Sequence, residues 1–313
     1  MKRWLVLIFA GLSVGWILVC AVAGIFMAEG ALHPKHRPIS AEAQRRAEEL
    51  AKSAGVPIRT VRVSAADGVP LVGWYFSNQQ LNQNSNPEWR RDVVLILHGQ
   101  SDNRAGALSF ARLFLRREFD VLLPDSRAHG ESGGEIATYG FLEGRDVSSW
   151  IDWLVTENRP RHIYALGESM GAAILLRTLC RDARLDAVIA EAPFCNFREV
   201  AFDRVGQQFR SGNWVGRILF RPAVEVGFVY ARLKYGADLG QVAPEECVTQ
   251  TRTKILMIHG DDDHNIPLRH CLRISGRSKN VELWRVPGAG HTEVFGRQPT
   301  QFEQRVCRWL GHP

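Results

Sequence analysis

The sequence predicts an α/β fold: a mostly parallel sheet with helices on both faces, a helical cap insertion, and one N-terminal transmembrane helix. Three observations carry this. From Val93 onward, short apolar runs alternate with stretches of helical spacing, the pattern of parallel strands covered on both faces. The alternation breaks once, between Cys195 and Thr253, over a length improbable for a structureless loop in a compact domain. Trp4 to Ala28 carries no charge at all, and spanning a bilayer takes about 20 apolar residues. The bulk composition of the 313 residues, 45% hydrophobic and 23% charged with net charge +6, excludes wholesale disorder. Six cysteines are too sparse for a disulfide scaffold.

The N-terminal run follows Lys2 and Arg3 and is closed by Glu29. It is longer than the roughly 7–15 apolar residues of a signal peptide, so an uncleaved anchor at 1–28 fits better, although Ala21-Val22-Ala23 resembles a cleavage site. Val19 before Cys20 is too bulky for a lipoprotein signal. Lys2 and Arg3 favour a cytoplasmic N-terminus and an extracytoplasmic catalytic domain; Lys35, Arg37, Arg45 and Arg46 weaken that bias. Residues 29–59 read as a linker marked by Pro34 and Pro38, then a helix N-capped by Ser40 and ended by Gly55 and Pro57.

A catalytic domain is expected over 60–313. It opens with two strands, Thr60–Ala65 and Pro70–Ser77, around an Asp67-Gly68 turn. The Asn- and Gln-rich stretch Asn78 to Glu88 reads as a loop. Strands then follow at Val93–Leu97, Asp120–Leu123, His162–Leu166, Ala187–Ala190, Lys254–Ile258 and Val281–Val286. Helices lie between them at Ala105–Arg117, Phe141–Thr156, Met170–Cys180 and Leu268–Ile274, with Phe302–Leu310 last. The cap, 195–253, shows helical spacing near Val200–Phe209, Trp214–Phe220 and Val224–Leu233. Its arginines (Arg198, Arg204, Arg210, Arg217, Arg221, Arg232) read as a solvated face.

The strongest chemical signal is Gly167-Glu168-Ser169-Met170-Gly171, a G-x-S-x-G between a strand and a helix. Such a turn lifts a serine to the carboxyl edge of the sheet, and its glycines remove clashing side chains. A serine hydroxyl needs a base to become a nucleophile. Gly288-Ala289-Gly290-His291 follows the last strand and can bring an imidazole there. The other nine histidines lack that setting; His98 and His259 end strands in His-Gly pairs that more often mark tight turns. A carboxylate should orient the imidazole. In Asp261-Asp262-Asp263 the residue farthest from the strand and still before Pro267 is Asp263, with Asp262 its main competitor. The backbone N–H groups of Met170 and Gln100 are the expected oxyanion donors.

These segments resemble the α/β-hydrolase superfamily of serine hydrolases over about 60–313. Five match in order: Leu97-His98-Gly99-Gln100, Asp125 to Ser132, Gly167 to Gly171, His259 to Asp263, and Gly290-His291. The resemblance implies the α/β-hydrolase fold, a cap between the sixth and seventh strands, and a structural role for Asp125 to Ser132. With an anchor attached, the chain looks like the lysophospholipase, monoacylglycerol-lipase and depalmitoylase-like branches. The basic, cysteine-containing cap departs from them.

The function expected is a serine hydrolase cleaving a carboxylic ester or thioester of an acyl, lipid-like substrate at a membrane, with Ser169, Asp263 and His291 catalytic. A serine peptidase is the alternative, and a catalytically silent scaffold a remoter one. Ser169 disfavours chemistry with an aspartate nucleophile. No metal or organic cofactor is expected: the cysteines form no C-x-x-C pair. Nor is nucleic acid, because the basic residues form no clustered stripe.

Overall fold

The computed structural model describes residues 2–77 and 91–311, so the Asn78 to Glu88 stretch lies outside the described residues. The chain divides into two compact units, Met1–His33 with Asn196–Val242, and Pro34–Cys195 with Ala243–Pro313.

The larger unit is built on one eight-stranded sheet. Its strands are β1 (Ile58–Ser64), β2 (Pro70–Phe76), β3 (Val93–Leu97), β4 (Asp120–Pro124), β5 (Ile163–Glu168), β6 (Ala187–Glu191), β7 (Lys254–Gly260) and β8 (Val281–Val286). The spatial order is β1-β2-β4-β3-β5-β6-β7-β8. β1 and β2 form an antiparallel hairpin and β2 pairs antiparallel with β4; every later pairing is parallel. The predicted turn sits in that hairpin, with Gly68 in the left-handed region at φ 81°. β3, β4 and β6 are buried along their whole length, as strands covered on both faces must be.

The unit's helices are α2 (Ala41–Ala54), α3 (Leu108–Leu115), α4 (Glu143–Glu157) and α5 (Met170–Thr178). The smaller unit holds α1 (Lys2–Leu32), α6 (Phe197–Gln208) and α7 (Arg221–Tyr235), and the larger then continues with α8 (Pro244–Cys247), α9 (Arg269–Ser275), α10 (Val294–Arg297) and α11 (Pro299–Trp309). Ser40 caps α2 through the Ala43 N–H at 3.1 Å, and Gly55 ends it at φ 67°. The expected helix from Ala105 instead begins as a 3₁₀ turn, Arg104–Ala107. Asn103 caps that turn, and the Arg104 guanidinium is pulled inward to Asp125. Trp74, Phe114, Phe119 and Phe302 fill a core shared by the sheet and these helices.

A disulfide joins Cys180, just past α5, to Cys247 at the end of α8. The two are 67 residues apart in sequence and no spacing rule linked them. Cys20, Cys195, Cys271 and Cys307 lie outside the disulfide and are buried.

In the smaller unit, α1 runs past Glu29 to Leu32, and Arg3–Leu32 is long and apolar enough to cross a membrane. The insertion between β6 and β7 is helical, as its spacing predicts, with a π turn at Val215–Leu219 between α6 and α7. Its arginines form a largely exposed face, as expected, and two of them are also held by partners. Arg198 pairs with Glu225 and lies 4.6 Å from the Phe228 ring, while Arg217 pairs with Glu199 beside Phe202.

Candidate active site

The site forms where strands end. β5 runs into Ser169, whose backbone takes φ 50° and ψ −110°, a strained conformation for a residue with a side chain. The turn is possible because of its glycines. A Cβ on Gly167 would lie 2.5 Å from the Gly171 carbonyl carbon, and one on Gly171 would lie 2.5 Å from the Leu97 carbonyl oxygen. The chain can therefore reverse sharply from strand into α5 and press against the end of β3. Gly99 lies close by, and a Cβ there would sit 3.8 Å from that of Ser169.

The loops after β7 and β8 bring the other two predicted residues to this point. His291 Nε2 lies 2.9 Å from Ser169 Oγ, and His291 Nδ1 lies 2.7 Å from Asp263 Oδ2. Asp263 is fully buried at its side chain, and its Oδ1 accepts from the N–H groups of Asn265 and Ile266, each at 2.8 Å. Burial opposes ionisation of Asp263, but the His291 hydrogen bond and charge and the Ile266 N–H outweigh it and hold its pKa below the usual value. Asp262 is exposed, and Asp261 pairs with Arg285 at 2.9 Å. Of the three aspartates, the one that faces the imidazole is Asp263. Gly260 lets the two loops meet, since a Cβ there would lie 2.2 Å from the Ala289 carbonyl oxygen.

The loop after β3 carries Gln100, whose side-chain amide donates to the Tyr139 hydroxyl at 2.7 Å. Met170 begins α5 directly after the serine. Two histidines brace this loop. His98 Nε2 accepts the Ser126 N–H at 3.1 Å, and His129 Nε2 accepts the Ser101 N–H at 3.2 Å. Each ring therefore carries its proton on Nδ1, which faces a carbonyl oxygen: Gly99 at 2.7 Å and Arg127 at 2.9 Å. Burial lowers both pKa values, that of His129 to about 4. Within the Asp125 to Ser132 segment, Asp125 accepts from the N–H groups of Arg104 and Glu131.

Three further residues bear on the site. Glu191 ends β6. Its carbonyl accepts the Ser169 N–H at 2.8 Å, and its Oε1 accepts the Val294 N–H at 3.1 Å, three residues beyond His291. One buried residue thus ties the serine turn, through its backbone, to the histidine loop, through its side chain. Burial pushes Glu191 up to about 7 against the pull of the Val294 N–H. Glu168, beside Ser169, rises to about 8 through burial first and the nearby Glu191 charge second. His259 faces the Cys271 thiol at 3.1 Å through Nδ1 and stands 3.8 Å from Asp263 through Nε2. Glu168 lies in the serine motif and His259 in a His-Gly pair. Glu191 had no local signal, because its role depends on a partner in another loop.

A parallel-sheet order with a serine turn after β5 and acid and histidine loops after β7 and β8 is the architecture of the α/β-hydrolases. Residues 93–305 match the Alpha/beta hydrolase family, and the chain belongs to it. It is 30% identical over 224 residues to the uncharacterized protein YqkD of Bacillus subtilis, covering 70% of this chain and 71% of that one. It is 25% identical over 230 residues to the lysophosphatidylserine lipase ABHD12 of Bos taurus, covering 68% of this chain and 52% of the relative. The chain thus spans about half the length of that lipase. Among solved structures, the esterase Pf2001 of Pyrococcus furiosus superposes with TM-score 0.67 at 20% identity, covering 90% of this chain and 97% of that one. That likeness concerns the fold.

Proposed function

We propose that this protein is a membrane-anchored serine hydrolase that cleaves a carboxylic ester or thioester of an acyl, lipid-like substrate. The observation that carries the reading is the unbroken line Ser169–His291–Asp263, with contacts of 2.9 and 2.7 Å. Ser169 Oγ attacks the acyl carbonyl while His291 Nε2 takes its proton. Asp263 holds Nδ1–H and stabilises the imidazolium that forms. The N–H groups of Met170 and Gln100 receive the oxyanion, helped by the N-terminus of α5. His291 then returns the proton to the leaving alkoxide or thiolate. Water, activated by the same imidazole, releases the acid from the acyl-serine.

The lipid-like substrate class is supported by the apolar α1 and by the similarity to a lysophosphatidylserine lipase. The domain reading that goes with it is an anchor over 1–28, a linker with a short helix over 29–59, and a catalytic domain over 60–313. An extracytoplasmic catalytic domain is supported by Lys2 and Arg3 before the span and by the Cys180–Cys247 disulfide, a bond that persists in oxidising compartments.

Fluorophosphonate labelling of the membrane-bound protein, followed by a panel of acyl glycerols, acyl thioesters and peptides, tests the reading. The expected result is labelling that Ser169→Ala abolishes, with turnover of esters or thioesters. Turnover of peptides alone would replace it with a peptidase, and a wild-type chain that resists the probe would sink it.

A further inference from the structure

The smaller unit leaves apolar side chains in the open. Phe209, Trp214, Ile218 and Leu219 are all exposed, Ile218 at 72%, and Val229 and Leu233 continue the exposure along α7. They belong to the insertion, not to α1, so the expected anchor does not account for them. Arg210 and Arg221 lie among them. Soluble surfaces rarely cluster large apolar residues this way unless something covers them.

What covers them follows from how α1 packs within this unit. From Trp4 to Val19 every residue whose burial is described remains exposed, whereas from Cys20 onward one face is covered by α7. The helices meet through small residues. A Cβ on Gly24 would lie 2.3 Å from the Ala223 carbonyl oxygen, and one on Gly227 would lie 2.9 Å from the Gly24 carbonyl oxygen. Small residues allow such close approach in apolar surroundings. Contact begins higher still, where the Trp16 and Phe220 rings lie 5.3 Å apart, and Phe209 stacks on Phe220 at 4.9 Å.

Length then decides the depth. At about 1.5 Å per residue, Trp4 to Val19 covers only about 23 Å. The hydrocarbon core is about 30 Å thick, and tilting the helix only lengthens the stretch required. A span starting at Trp4 therefore ends near Gly24, with Phe220 and the first turn of α7 already alongside it. Leu233 apart, the opposite end of α7 is polar. There Glu29 accepts from Tyr230, from Tyr235 at 2.8 Å and from Lys234 at 2.8 Å, a cluster suited to the aqueous side.

We propose that the insertion itself dips into the lipid bilayer beside α1, with Trp214, Ile218 and Leu219 in the boundary between headgroups and acyl chains. The occupant is the lipid surface, because the exposed apolar face is continuous with α1 at Trp16 and Gly24. The arginines around it have stems long enough to carry their charge up to the headgroups. The inference rests on α1 being a membrane span.

The experiment uses the full chain in phosphatidylcholine nanodiscs. An environment-sensitive fluorophore is attached through Ile218→Cys, through Leu12→Cys in the span, or through Glu282→Cys on β8. Fluorophosphonate labelling confirms that each variant is folded, and Trp214→Cys replaces Ile218→Cys if that one is not. Lipids bearing a nitroxide near the headgroup are expected to quench the probe at position 218 about twofold, while aqueous iodide leaves it bright. The probe at position 282 should respond the other way. If position 218 follows position 282 while position 12 is quenched by lipid, α1 spans the bilayer but the insertion stays in water, and the proposal is wrong. If position 12 is not quenched either, the span itself fails and the proposal falls with it.

Discussion

In the larger unit many polar groups are buried and nearly all large apolar side chains are hidden, Val155 and Leu272 apart; in the smaller one large apolar groups are left outside. Asp263, Glu191, His98, His129 and His259 all lie inside the sheet unit, mostly held by named hydrogen bonds. Trp214, Ile218 and Leu219 lie outside the helical unit, next to a helix with no charge from Trp4 to Ala28. Buried polar groups demand partners and so fix positions closely, which is what chemistry at a strand end needs. Exposed apolar groups fix little in water and gain their stabilisation only from a second phase. The two units are suited to different solvents.

The largest effect should come from the site. Ser169→Ala is expected to lower hydrolysis of acyl esters by about four orders of magnitude or more, with melting temperature unchanged. Substrate turnover and thermal unfolding of the same preparation check it. A loss of activity accompanied by a fall in melting temperature would mean that the serine matters to the fold rather than to the reaction.

The buried histidines give the second effect. The folded pKa of His129 is about 4, below the ordinary 6.5, because burial disfavours its charged form. The unfolded chain therefore binds a proton that the folded one refuses. Stability is lost as pH falls from about 6.5 to about 4, by about 3 kcal/mol for this group. Glu191, raised to about 7 from 4.5, acts in the opposite sense: its contribution is lost as pH rises from about 4.5 to about 7. The two oppose each other in the native protein. The informative measurement is the difference between the wild type and His129→Gln, by chemical denaturation at several pH values. That difference should grow as pH rises from 4 to 6.5 and stay flat above; a constant difference would refute a neutral His129.

Much of this was legible in the sequence, and the exceptions have physical causes. Parallel strands buried on both faces announce themselves as apolar runs, so Val93–Leu97 stands where it was expected. Ser169, Asp263 and His291 sit in glycine-rich strand ends whose local geometry is written locally, and the structure brings all three together. Other features come from pairs distant in sequence. Cys180 with Cys247, Glu191 with Val294, and Gly24 with Ala223 meet only through the fold. No local pattern marks either partner. The insertion arginines lie largely in solvent, as their reading as a wet face expects, but the acids and rings that hold Arg198 and Arg217 there are not visible in the sequence.

A third test separates the units. Gly24→Val places a side chain where the Ala223 carbonyl oxygen already stands, so the α1–α7 contact must open. The expected cost is about 2 kcal/mol, the ordinary penalty for overpacking. In nanodiscs the insertion arginines should then be cut faster by trypsin, while fluorophosphonate labelling of Ser169 keeps its rate. If labelling slowed as much as cleavage sped up, the units would not be independent.

The smallest effect expected is the most local, at Glu191. Its Oε1 holds the Val294 N–H beyond the histidine loop, and its carbonyl holds the Ser169 N–H. Glu191→Gln keeps a side-chain oxygen for Val294 and removes the titration. Glu191→Leu keeps the bulk but leaves a buried N–H without a partner, a loss of about 1–3 kcal/mol that falls first on the loop carrying His291. We expect the leucine variant to label with fluorophosphonate about tenfold more slowly at neutral pH, and the glutamine variant to label at the wild-type rate. Above pH 7 the order should shift. The wild-type carboxyl ionises there while buried, with one oxygen lacking a hydrogen-bond partner among the described residues, whereas glutamine cannot ionise. Glu191→Gln should therefore be the more stable protein at pH 8 and lose that advantage at pH 5. Equal slowing by both substitutions at every pH would show that the residue serves the core in general and does not position the histidine loop.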